Sequence, residues 1–178
     1  MRFMNIINQG HSLTDIPVDS IDICLYDLDK RLRKDESMAI SAVAEMLGIK
    51  GKVETEMDLV ALSEKGLPKK VVPRLVKRLS VSLTEIAPLL LVSRKTVERY
   101  KTSPESHLSP PVSERVLQIA LVVKRCEEVF EDPKLCNEWL KSINPALGGR
   151  IPLELLKTSF GINMVLGELT RIEHGVIS

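Results

Sequence analysis

With 178 residues, the chain is long enough for one large core or two small ones, and its 25 Lys and Arg against 24 Asp and Glu exclude a polyanion binder basic over its whole surface. Apolar residues make up 44% of the chain but aromatic residues only 3%, so its cores must be built from Leu, Ile, Val and Ala, a mix that favours helices over sheets. The sequence has no apolar run as long as a membrane span and no basic-then-apolar secretory start, and Cys24, Cys126 and Cys136 fall in no metal-ligand spacing; this reads as a soluble, cytoplasmic protein with reduced thiols and neither cofactor nor metal.

Charge is not spread evenly. Nine basic residues (Lys69, Lys70, Arg74, Lys77, Arg78, Arg94, Lys95, Arg99 and Lys101) stand against Glu85 and Glu98 between Lys69 and Lys101, a net +7, while the segments before Lys69 and from Cys126 onward carry −4 and −3. A near-neutral chain with one basic middle is built to meet an anion there and to hold its two ends away from it.

The first stretch carries turn signals at Gly10 and Pro17 and a predicted helix from about Asp35 to Leu47, with Met38, Val43, Met46 and Leu47 as its apolar stripe. Residues 1–56 read as an appended region, a packing or self-association arm. From Met57, the residues Met57, Val60 and Ala61 recur at helical spacing; Gly66 and Pro68 then end one helix and begin another, which runs to Leu79 and buries Val72, Leu75, Val76 and Leu79.

Ser82, Leu83, Thr84, Glu85 is a capping box that opens a short helix holding Ile86, Ala87, Leu89 and Leu90. After a three-residue turn, Ser93 caps a second helix, Arg94 to Lys101, with Val97 and Tyr100 facing inward. Two short helices joined by a tight turn, with the small Ala87 at their crossing, match a helix-turn-helix. Its second helix enters the DNA major groove, so Arg94, Lys95, Thr96 and Arg99 are the candidate DNA-binding residues: Arg or Lys for guanine O6 and N7 or a phosphate, and the Thr methyl for a thymine methyl. Two residues depart from the motif: Leu91 stands in the turn where glycine is usual, and Pro88 lies inside the first helix, where it should bend it.

Turn residues from Thr102 to Pro111 lead to Ser109 as a cap and Pro110 at the first helical position of a helix running to Phe130, with Val116, Ile119, Ala120, Val123 and Phe130 inward. A Glu-Asp-Pro break precedes a helix with Trp139 and Leu140, a turn from Asn144 to Gly149, a short helix from Pro152 through Leu156, and a last helix from about Ile162 that ends before Gly175. The expected fold is all-α: a helix-turn-helix domain over residues 57–105, then a separate helical domain over 106–178.

The C-terminal half resembles the antitoxin family called Xre, MbcA or ParS. The resemblance rests on Trp139 and Leu140, the run from Asn144 to Gly149, Pro152, Leu153, Leu155, Leu156, Thr158 and Gly161, and the ending Leu169, Arg171, Ile172, Glu173, His174, Gly175. Gly66, Leu67, Pro68, Ser93 and Thr96 extend it to about Met57. It implies a protein that represses its own operon and inhibits a partner toxin of the RES type, which degrades NAD. By position, it also implies that Arg171, His174, Gly175, Val176, Ile177 and Ser178 enter or cover the toxin's cleft, with Glu173 and the carboxylate of Ser178 meeting cationic groups there.

Catalysis finds little support: His11, His107 and His174 are far apart in sequence, Ser109 and Ser113 sit in no nucleophile elbow, and Gly148 with Gly149 reads as a turn rather than a phosphate cradle. A stand-alone helix-turn-helix repressor with a helical dimerisation domain and no toxin is the alternative, which composition and periodicity leave open. In either case one recognition helix reads few bases, so a homodimer on operator half-sites is expected.

Overall fold

Capping side chains set most of the helix boundaries. In the computed structural model, which describes residues 37–175, Thr55, Ser82, Ser93, Asp132 and Thr158 each accept a backbone N–H from the first turn that follows. The resulting helices are α1 (37–47), α2 (Glu56–Lys65), α3 (Val71–Leu79), α4 (Leu83–Leu89), α5 (Arg94–Tyr100), α6 (Pro110–Phe130), α7 (Pro133–Lys141), α8 (Pro152–Leu155) and α9 (Ser159–Glu173), with a 3-10 turn at Pro145–Leu147. Among the described residues there is no strand, only the isolated bridges Pro68 to His107 and Asn144 to Arg150. The fold is all-α, as its composition predicts. None of the described helices is long and apolar enough to cross a membrane. Expectations placed on Gly10, Pro17, Cys24, Val176, Ile177 and Ser178 lie outside the described residues.

The 21-residue α6 is the spine. Val116, Ile119, Ala120 and Val122 on it are fully buried, in one continuous apolar cluster that runs from Val43 and Leu47 on α1 through Leu75, Ile86 and Leu89 to Leu140, Leu156, Val165 and Leu169. Residues 38–178 form one compact unit, and the core has no break near residue 105. The linker before α6 is pinned as well: Leu108 N donates to Leu67 O at 2.8 Å, and the buried Ser113 hydroxyl accepts from Leu67 N at 2.9 Å.

Polar ties cross from the helix-turn-helix side to the C-terminal side. Arg115 on α6 is 5% exposed. It donates from Nε to Leu89 O at 2.9 Å, from Nη1 to Gln118 at 3.2 Å, and from Nη2 to Leu156 O, so one guanidinium holds the last turn of α4 to the end of α8. Burial pulls its pKa below the ordinary arginine value, with the nearby Glu114 opposing, yet guanidinium stays charged. Arg78 on α3 forms a two-pronged pair with the buried Glu127 of α6, which raises the Arg78 pKa; Asn137 and Lys141 of α7 donate to Arg78 O at 3.0 Å and Ser80 O at 2.7 Å.

Several sequence expectations need correction. Met57, Val60 and Ala61 are all exposed; α2 instead turns Leu59 and Leu62 toward the core, because a stripe can be drawn through either set at helical spacing. The last helix begins at Ser159, three residues before Ile162, since Thr158 caps it and the exposed Phe160 hides the apolar period. Ser109 precedes α6, but its hydroxyl makes no cap bond. Cys126 and Cys136, read as reduced thiols with no relation to each other, are both buried and lie side by side, with their Cα atoms 5.5 Å apart. Glu131 in a left-handed conformation (φ 55°) ends α6, and the chain then doubles back to bring the two together, which spacing alone does not reveal.

Replacing Arg115 with Met should strand the Leu89 and Leu156 carbonyls in the core and cost about 3 kcal/mol. Urea unfolding followed by Trp139 fluorescence checks this, with wild-type stability as the contradicting result.

Candidate functional site

α4 and α5 pack against each other, Ala87 on α4 is buried in the core, and Val97 and Tyr100 anchor α5 to it. In the capping box at the start of α4, Ser82 N–H donates to Glu85 at 2.8 Å and the Ser82 hydroxyl accepts from Glu85 N at 3.2 Å; these bonds hold the Glu85 carboxyl below its ordinary pKa. At the start of α5, Ser93 accepts from Thr96 N at 3.1 Å, and its hydroxyl shares a 2.8 Å hydrogen bond with the Thr96 hydroxyl.

The two residues that depart from the motif are both accommodated. Pro88 lies in the last turn of α4, and the helix continues through it, since Leu90 N still donates to Ile86 O at 3.0 Å. Leu91 occupies the left-handed region at φ 56° with its side chain exposed. Around it, Val92 N donates to Ala87 O at 3.0 Å and Leu91 N to Pro88 O at 3.3 Å, the paired bonds of a Schellman ending. The turn thus keeps the geometry that glycine would give, at the cost of holding a leucine there.

Arg94, Lys95 and Arg99 are exposed on α5, and Thr96 is half-buried. Arg94 donates to Glu98 at 3.0 Å along the helix, while Lys95, Arg99 and Lys101 make no ion pair among the described residues. Of the other cations in the basic middle, Lys69 sits 5.5 Å over the Tyr100 ring, Lys70 pairs with Glu105, Arg74 Nη1 donates to Leu47 O at 2.7 Å, and Arg78 is committed to Glu127. Part of the +7 is therefore structural; Lys77 on α3 is exposed and in no ion pair among the described residues, and the other cations left for an anion lie on or beside α5.

At the other end, α9 is seated by Gly161, where an added Cβ would lie 2.0 Å from the Leu155 carbonyl oxygen, so only glycine allows α8 and α9 to approach this closely. Arg171 is half-exposed beside the buried Glu168, Nη2 to Oε2 3.1 Å but poorly aligned for a hydrogen bond. His174 and Gly175 are exposed, and Gly175 at φ 68° turns the chain out of the helix. Glu173 is paired with Arg125 across the surface of the chain. Sequence reasoning missed this pair because the two residues lie 48 positions apart.

Comparison with known proteins matches both halves. Residues 58–121 match the model described as the antitoxin Xre-like helix-turn-helix domain, and residues 125–175 match the antitoxin Xre/MbcA/ParS C-terminal toxin-binding domain. The chain belongs to the Xre/MbcA/ParS antitoxin family. A relative from Sphingobium sp. (strain YBL2), described as a Prs ADP-ribosylating antitoxin, is 29% identical over 131 residues, 68% of this chain and 82% of the relative. The antitoxin joins a helix-turn-helix and a toxin-binding half on one core.

The Leu91 geometry has a consequence for stability. Leu91→Gly should raise it by about 0.5 kcal/mol, since glycine avoids a left-handed penalty of roughly 1–2 kcal/mol while losing up to about 1 kcal/mol of unfolded-state entropy. A Tm higher by about 1–2 °C in a thermal scan is expected; a lower Tm would contradict the account of the turn.

Proposed function

We propose that this antitoxin neutralises a RES-type toxin that degrades NAD, represses the promoter of its own operon as a homodimer, and does both in the cytoplasm. The observation that carries the reading is the joining of two matched halves on one body, a cationic α5 within residues 57–105 and a toxin-binding half within 106–178 whose last helix ends at the exposed His174 and Gly175. Arg94, Lys95, Thr96 and Arg99 read or hold DNA. Arg171, His174, Gly175, Val176, Ile177 and Ser178 form the segment that closes the toxin's cleft.

The name of the Sphingobium relative favours a second reading of the toxin, in which it moves ADP-ribose from NAD to a protein acceptor. Both reactions break the bond between nicotinamide and ribose. They differ in whether purified toxin consumes NAD without an acceptor, and that assay separates them.

For DNA, Arg94→Ala with Arg99→Ala should weaken binding to the operon promoter by about 100-fold, given about 1–3 kcal/mol for each good base contact. Toxin neutralisation should persist, and the slope of log affinity against log salt should become shallower by about 0.9 for each phosphate no longer neutralised. A mobility shift at wild-type strength would displace the reading helix from α5.

For the tail, a chain ending at Ile172 should fold and bind the promoter but fail to stop NAD turnover by the toxin encoded in the adjoining reading frame. The residues removed lie beyond the buried part of α9, so the core loses little. Full inhibition by this truncation, with helix content confirmed by circular dichroism, would assign inhibition to the helical half itself.

A further inference from the structure

α9 carries an exposed line in which only Arg171, beside Glu168, has an ionic partner among the described residues. At 100° per residue, Phe160, Met164, Gly167, Arg171 and His174 fall within an arc of about 80° and run for about 21 Å along the helix. Phe160 is 85% exposed and Met164 47% exposed, although the whole chain holds only three phenylalanines.

Gly167 is the telling residue. A glycine inside an exposed helix is unfavourable relative to alanine, and here nothing within 4 Å would meet an added Cβ, in contrast to Gly161 on the buried side of the same helix. Nothing within the described residues requires that glycine. A bare backbone patch between an aromatic anchor and an arginine is what a helix presents when a partner surface must come close, and anchors at i, i+4, i+7 and i+11 fit a helix laid in an apolar groove.

We infer that this stripe is the primary docking face for the toxin: Phe160 and Met164 fill an apolar groove on the toxin, Gly167 lets the groove wall reach the helix backbone, and the stripe delivers the tail to the cleft. The inference rests on the antitoxin reading and adds a surface to it. The toxin is the occupant because all five residues lie within the segment 125–175 matched to a toxin-binding domain. The stripe also runs without interruption into His174 and Gly175, where the tail leaves the helix.

The test uses the full chain and the purified product of the adjoining reading frame, with affinity measured by titration calorimetry. Phe160→Asp with Met164→Asp should weaken binding by about 30-fold or more, as removal of central anchors does, and leave Tm and promoter binding unchanged. Gly167→Lys supplies the check on folding: it should weaken toxin binding while raising Tm by about 2 °C, since it removes a helical glycine. Affinities within about threefold of wild type for both variants would overturn the inference. So would stripe variants that become monomeric by light scattering yet keep their toxin affinity, because the face would then join two copies of this chain. If the wild-type chain binds its promoter but not the neighbouring product, the antitoxin reading itself fails, and this inference with it.

Discussion

The structure depends on one buried cation. Arg115 sits on the central helix, and its planar fork satisfies two carbonyls that would otherwise end their helices unpaired, Leu89 at the end of α4 and Leu156 after α8. A guanidinium in the core is tolerated only where its donors are matched, and Arg115 meets that condition through partners from both functional halves. The Arg78 to Glu127 pair repeats the logic one helix away, between α3 and α6. The helix that would read DNA and the helix that carries the exposed stripe are therefore positioned by the same spine.

That arrangement explains why the basic middle is only partly available. Arg74 and Arg78 lie in the sequence cluster of cations, but the first caps the carbonyl at the end of α1 and the second holds Glu127. Lys95, Arg99 and Lys101 on or beside α5 have no such duty among the described residues. Charge counted along a sequence mixes structural and available cations, and only the groups each side chain meets in the fold separate them.

Much of the fold was legible because its boundaries are written in side chains. Ser82 with Glu85, Ser93, and Pro110 after Ser109 mark helix starts by local chemistry that does not depend on tertiary contacts. Illegible features were those set by long-range packing: the turning of Leu59 and Leu62, rather than Met57 and Val60, toward the core, the approach of Cys126 to Cys136, and the pairing of Glu173 with Arg125. The DNA-reading candidates followed from the motif. The exposed stripe could not, because nothing in the sequence separates an exposed Phe160 or Met164 from a core residue.

If the helix-turn-helix and the toxin-binding half stand on one cooperative core, native-state hydrogen exchange will show it. The slowest amides of α4 and of α9 should exchange with the same opening free energy and the same dependence on urea, as parts of one unfolding unit do. If α4 and α5 instead open at distinctly lower free energy while α9 stays protected, the two halves are separate bodies and the clamp at Arg115 does not join them.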